Sequence, residues 1–347
     1  MNFNILFGLL LIGIGAFSSG SFAVPFGKIK GWNWETYWLI FSFGAYLIFP
    51  LTACLIFTPD FIFIIHKTGG ETIVAVFLLG MVYGVGNLSF GLALRYLGLS
   101  LGYALSLGLM LAIGTIIPPI TDGRLQLMIE SSGGKLLIGG ILVAVLGIVF
   151  SAWAGILKDK SQSSEKKKES ISEFNLTKGI LAALLVGVTG SAMALGFEEG
   201  MPIAKVGEQS GVDPLFSMMP VYLVFLIGTF LTTLIWCLFL GVKNKSVRNY
   251  TKAENSRTLT FNYLFGILAG SLWFSQFIFY GMGKSKMGPF TFTSWGILMA
   301  LTIAFATVWG LIRKEWKGAS VKVYVLMALS LIILIVASFM IGISGSE

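Results

Sequence analysis

The chain has 347 residues, of which 56% are hydrophobic and only 12% charged, with a formal net charge of +8. A soluble domain carries about 25% charged residues, so this composition excludes an ordinary soluble fold. Apolar runs of about 20 residues recur along the whole length, enough to cross a bilayer, and the expected class is an all-α polytopic membrane protein.

Ten transmembrane helices are expected, near residues 4–27, 37–57, 72–94, 97–119, 134–157, 178–200, 214–240, 261–283, 287–312 and 322–343. Continuous apolar runs select helices, because in lipid each backbone group must be satisfied within the segment. The first run, Ile5 to Phe26, lacks a basic n-region and a small-residue cleavage site, so it reads as retained rather than as a signal peptide. Trp32, Trp34, Trp38 and Trp316 fall at helix ends, where interfacial anchors belong. A polar Ser- and Lys-rich linker, 158–177, separates a first half (1–157) from a second (178–347). Lys243 to Arg257 forms a further basic loop.

Alternate loops differ in charge. All Lys and Arg except Lys67, Arg124, Lys135, Lys205, Lys284 and Lys286 fall on one side. The positive-inside rule makes that side cytoplasmic and places both termini outside the inner (plasma) membrane. This accounts for the positive charge without nucleic acid.

The halves are related. FAVPFGK (Phe22 to Lys28) resembles EGMPIAK (Glu199 to Lys205), pairing Pro25 with Pro202 and Lys28 with Lys205. GNLSFGLALR (Gly86 to Arg95) sets Asn87 against Gln276 and Arg95 against Lys284 in SQFIFYGMGK (Ser275 to Lys284). A repeat of five helices must invert its second copy. Inverted repeats belong to alternating-access transporters, which hold substrate near the midplane.

Catalytic chemistry finds no support. Cys54 and Cys237 lie in apolar runs and read as packing residues. His66 sits in a loop with no second ligand at metal spacing, and HExxH, GxSxG and P-loop patterns are absent. No metal or cofactor is expected.

Two features carry functional expectations. FEEGMPIAK (Phe197 to Lys205) puts Glu198 and Glu199 at the end of an uncharged run. Acids inside a membrane are functional candidates, and neighbouring buried carboxylates bind protons readily. Pro202 removes one helical hydrogen bond there and should kink the helix. The competing account ends the helix early, with both acids among headgroups and Lys205 as partner. Asn87 and Gln276 are uncharged amides near mid-helix, able to donate to and accept from a polyol. Trp273 and Tyr280 share the helical face of Gln276, an aromatic surface suited to a sugar ring, and Trp295 joins them. Interhelical hydrogen bonding is the alternative use of such amides. Arg95 and Lys284 read as snorkelling residues. The glycines of GNLSFG, GLSLG and SLGLMLAIG read as close helix packing.

These stretches resemble the L-rhamnose–proton symporter family of the drug/metabolite transporter superfamily. The likeness runs nearly end to end, through PFGKIKGWNWETYW (Pro25 to Trp38), YGVGNLSFGLALRYLGLSLG (Tyr83 to Gly102), GVDPLF (Gly211 to Phe216), LWFSQFIFYGMG (Leu272 to Gly283) and KEW (Lys314 to Trp316). The resemblance implies proton-coupled uptake of a 6-deoxyhexose across the inner membrane. Glu198 and Glu199 depart from the family pattern, which is neutral there. A drug or metabolite exporter of the same fold, and a non-transporting membrane subunit, are the other readings.

Overall fold

The computed structural model describes residues 3–121, 129–161, 173–287 and 294–344. Residues 162–172 of the expected linker, Arg124 and the first turns of the expected ninth helix lie outside them. The described residues are helices and connecting turns, with eight helical segments long and apolar enough to cross a membrane. The chain is a multi-pass membrane protein.

Helix boundaries follow local chemistry. Gly70–Thr121 is 52 residues long, on the order of 80 Å at 1.5 Å per residue, too long for one crossing of a roughly 30 Å core. It breaks at Gly98, whose φ of 80° and ψ of −178° only glycine adopts without strain. The second expected helix is three pieces: Trp34–Phe43, a π-turn at Gly44–Ile48 and Phe49–Phe57. Pro50 cannot donate to the carbonyl four residues back, and Phe49 bonds instead to the carbonyl of Gly44. Met219–Lys243 begins later than the sequence suggests, with Pro220 in its first turn. Asp213 accepts from the amide of Leu215 at 2.9 Å and holds the preceding residues in a turn. Ser256–Lys286 starts earlier than expected; the Asn255 side chain accepts from the amide of Thr258 at 2.8 Å and caps it. His66 is in the last turn of the helix Phe61–Lys67, not in a loop.

The chain forms two compact units, each drawing on both sequence halves. The first comprises Met1–Gly20, Gly86–Ser191 and Met282–Glu347. Within it Ser132–Ser161 lies along Val321–Ser344. A Cβ at Gly140 would sit 2.8 Å from Ile341, and one at Gly147 2.8 Å from Leu334, so these glycines set the approach. Ser330 Oγ bonds to Ser151 Oγ at 2.6 Å and donates to the Gly147 carbonyl at 2.8 Å. Leu97, Leu101, Leu105, Ala154, Trp316 and Val323 belong to one apolar cluster within it. Gly86, Gly102 and Gly108 make the close approaches expected of them, against Thr189, Leu94 and Ile148.

The second unit comprises Ser21–Val85 and Ala192–Gly281. Met219–Lys243 packs on all three pieces of the second helix. Its Thr229 and Thr232 hydroxyls donate to the carbonyls of Gly80 and Met81, each at 3.0 Å. Trp32, Trp34 and Trp38 belong to this unit and are at most 9% exposed. Their expected place as interfacial anchors gives way to inward packing, with Trp34 and Trp38 stacked at 5.2 Å. Trp316, in the first unit, is also buried. Cys54 and Cys237 are buried and free, as packing residues should be.

Candidate functional site

The site residues read from the sequence divide between the units. Asn87 and Trp295 belong to the first; Gln276, Trp273, Tyr280, Glu198 and Glu199 belong to the second.

In the second unit Gln276 is buried, and its Nε2 donates to the carbonyl of Trp273 at 2.8 Å. That bond holds the amide against its own helix and leaves Oε1 without a protein partner among the described residues. Trp273 is edge-on to Tyr46 at 5.2 Å and to Phe277 at 5.3 Å. The rings continue from Phe277 to Tyr222 at 5.0 Å and from Tyr222 to Phe197 at 4.9 Å. On the other side Phe41 joins Trp273 at 6.4 Å and Trp38 at 4.9 Å. Tyr280, half-buried one turn beyond Gln276, lies near Tyr222. The expected Trp273–Gln276–Tyr280 face is thus one part of a longer aromatic wall. Tyr46, Phe197 and Tyr222 were missed, since they come from other helices, and Phe277, on the same helix, because it is adjacent to Gln276 rather than three or four residues away. The indole nitrogens of Trp32, Trp34 and Trp38 are buried without a partner among the described residues, and such donors call for an acceptor.

Glu198 and Glu199 follow Phe197 at the end of Ala192–Glu199, and both are exposed. The anticipated kink is a stop and restart. The first helix closes with the Gly200 amide on the Gly196 carbonyl at 3.1 Å. Pro202 then occupies the first turn of Met201–Gln209, where its missing N–H costs nothing. Neither acid forms an ion pair with Lys205 among the described residues.

In the first unit Asn87 is 2% exposed and Trp295 half-buried. In that unit the hydroxyls of Ser106, Ser294 and Thr302 are buried with no hydrogen-bond partner among the described residues. Buried polar atoms normally find partners, so this unit carries unused hydrogen-bonding capacity. Arg95, expected to snorkel, instead grips Glu173 with Nε to Oε2 at 2.7 Å and Nη2 to Oε1 at 2.9 Å.

Two buried acids escaped the sequence reading, although both stand inside the quoted stretches. Glu35 of WNWETYW is 2% exposed and accepts from Asn244 Nδ2 at 3.0 Å and Ser246 Oγ at 2.6 Å. Glu315 of KEW is 5% exposed and accepts from the amides of Leu99 and Ser100 at 2.8 and 3.1 Å, just after the Gly98 break. Lys158 Nζ donates to the Glu315 carbonyl and lies over the Trp316 and Phe174 rings at 4.8 and 5.0 Å. Burial pushes the Glu315 carboxyl above its ordinary range, while the two amides and Lys158 oppose that shift.

Both acids depend on helix ends built alike. Met219–Lys243 closes with Ser246 N–H on the Gly241 carbonyl and Lys245 N–H on Val242. Ser294–Ile312 closes with Glu315 N–H on the Gly310 carbonyl and Lys314 N–H on Leu311. This pair of bonds requires a left-handed residue, and here Lys245 (φ 55°) and Lys314 (φ 59°) supply it instead of glycine. The sequence signal is a shared spacing, GVKNKS against GLIRKE.

No solved structure matches the chain. The family profile described as L-rhamnose-proton symport protein (RhaT) matches residues 1–346. An L-rhamnose-proton symporter from Citrobacter koseri is 33% identical over 345 residues, covering 99% of this chain and 98% of the relative. One from Yersinia pestis (strain Pestoides F) is 31% identical over 345 residues with the same coverage. On that end-to-end match, the chain belongs to the L-rhamnose–proton symport protein family.

Proposed function

We propose that this protein takes up L-rhamnose, or a closely related 6-deoxyhexose, together with protons by alternating access. The observation that carries the reading is the match over residues 1–346 to a family described as L-rhamnose-proton symport protein. The relatives' printed name is that of a symporter, which favours uptake over export by the same fold. The protein is a transporter and not an enzyme. Its architecture on this reading is ten crossings in two inverted halves, 1–157 and 178–347, with the 158–177 linker cytoplasmic and both termini outside. Eight span-length segments support it; the Gly98 break makes two crossings of one, and Ser294–Ile312 adds another.

In the second unit Gln276 bonds to sugar hydroxyls, and Trp273 and Tyr280 supply aromatic faces for the C–H surface; in the first unit Asn87 and Trp295 are assigned the same two kinds of contact. The Oε1 of Gln276, without a partner among the described residues and on the same helix as Trp273, supports this assignment. Reconstituted into vesicles, the protein should accumulate labelled L-rhamnose when an inward proton gradient is imposed, and a protonophore should abolish the accumulation. Gln276→Ala should weaken uptake about tenfold or more, since one lost hydrogen bond in a buried site costs about 1–3 kcal/mol and 1.4 kcal/mol is a factor of ten. Failure of the wild type to accumulate any hexose would end the reading, and unchanged uptake by Gln276→Ala would remove the residue from the site.

Glu198 and Glu199 couple the proton. A proton carrier must be reachable from a compartment, and these acids are exposed whereas Glu35 and Glu315 are sealed by donors. The double variant Glu198→Gln/Glu199→Gln should still exchange labelled for unlabelled rhamnose yet fail to concentrate it against a gradient. Gradient-driven accumulation at the wild-type level would rule the pair out.

A further inference from the structure

The second unit has a basic cavity that the transport reading does not use. It has a volume of about 390 Å³, and its lining includes Lys28, Lys30, Arg257, Phe261, Asn262 and Phe265. No acid lines it, and none of its three cations is ion-paired among the described residues. We propose that this cavity binds the headgroup of an anionic phospholipid, with the phosphate on Lys28, Lys30 and Arg257 and an acyl chain along Phe261 and Phe265.

The cavity is fixed rather than incidental. Asn262 is 1% exposed; its Oδ1 accepts from the Lys30 amide at 3.0 Å and its Nδ2 donates to the Lys30 carbonyl at 2.8 Å. These two bonds tie the strand-like segment after Lys28 to the second turn of Ser256–Lys286, so the lysines and Arg257 face one space. The Arg257 guanidinium lies 5.6 Å from the centre of the Phe261 ring, which orients it along the helix. The N-terminus of that helix stands at the same mouth, and its dipole adds to the attraction for a negative group.

Depth selects a lipid over a soluble anion. Two membrane-crossing segments, Phe3–Lys28 and Ser256–Lys286, end here, so the cations stand at the level of headgroups. Phe265 lies eight residues beyond Arg257, about 12 Å further along the helix at 1.5 Å per residue, which is acyl-chain depth. Phe261 is 42% exposed, an aromatic ring open to whatever lies beside it. Basic pockets between crossing helices bind anionic headgroups by this combination of charge and apolar wall.

The test uses the full chain in neutral detergent, titrated with phosphatidylglycerol in mixed micelles, with bound lipid counted by native mass spectrometry. The triple variant Lys28→Gln/Lys30→Gln/Arg257→Gln should bind phosphatidylglycerol on the order of 100-fold more weakly, given the attraction of each surface cation to anionic lipid. A control with the same loss of charge nearby, Lys243→Gln/Lys245→Gln/Arg248→Gln, should retain wild-type binding. Phosphatidylcholine should not bind at the site, and sn-glycerol 3-phosphate should not displace the lipid. Wild-type binding by the triple variant, or an equal loss in the control, would overturn the proposal. Displacement by glycerol phosphate would overturn it in favour of a soluble phosphate site. Should the triple variant not fold, Lys28→Gln/Arg257→Gln provides the same reading with a smaller shift.

Discussion

Glu315→Ala should lower the thermal unfolding midpoint of the purified protein more than any other single side-chain truncation near the Gly98 break. The carboxylate accepts from two consecutive amides, Leu99 and Ser100, at the start of a helix that resumes after glycine. Removing it leaves two buried N–H groups unpaired, each costing about 1–3 kcal/mol. It also removes a negative charge that favours the protonated form of Lys158, itself 1% exposed. Because both amides bond to one carboxylate, the two losses come together, about 2–6 kcal/mol in all. Glu315→Gln should cost clearly less, because the amide oxygen still accepts and burial already disfavours the charged form. Intrinsic tryptophan fluorescence during heating in detergent gives the order wild type, Gln, Ala. An alanine variant within about 0.5 kcal/mol of wild type, the usual range for an inconsequential surface change, would mean that water replaces the carboxylate.

That cluster also shows where sequence reading stopped. The crossings were legible because hydropathy over about 20 residues reports the solvent, and lipid leaves that signature whatever the tertiary contacts. The gap left between the third and fourth expected helices, at Arg95, falls close to the Gly98 break, and Pro202 marked the stop before Met201–Gln209. What hydropathy does not report is which face of a helix meets protein, since lipid and core are both apolar and the polar stripe that orients a soluble helix is missing. Trp34, Trp38 and Trp316 therefore read as interfacial anchors, yet they pack inward. Glu35 and Glu315 fall between the expected helices and drew no reading, and their burial depends on partners at Ser246 and Leu99 that are distant in sequence. The left-handed residues that end two helices are lysines, so the glycine that usually marks such an end was not there to find. Gln276 and Trp273 were grouped because they are three residues apart on one helix; the rings of Tyr46, Tyr222 and Phe197 come from elsewhere and carry no local signature.

Gly80→Ala should have the largest effect of any one-carbon change in the second unit. Gly80 and Gly228 face each other's helices reciprocally: a Cβ on Gly80 would overlap the Phe225 carbonyl oxygen, and one on Gly228 the Phe77 carbonyl oxygen. Both obstacles are backbone atoms of hydrogen-bonded helices, so neither can rotate aside. The helices must separate, which stretches the bonds from Thr229 and Thr232 to the carbonyls of Gly80 and Met81. Overpacking of this kind costs about 1–3 kcal/mol and at times more, and each interhelical hydrogen bond in a membrane contributes about 0.6 kcal/mol besides. Gly13→Ala provides the contrast, since nothing lies within 4 Å of its Cβ position. There the methyl meets no neighbour and the helix gains about 1 kcal/mol of intrinsic preference. The two substitutions are chemically identical, so their unfolding midpoints should move in opposite directions. Thr229→Val, which keeps the shape and removes one hydroxyl, should fall between them. If Gly80→Ala and Gly13→Ala unfolded at the same temperature, the close crossing of Gly80 on Phe225 would not exist in the membrane protein as purified.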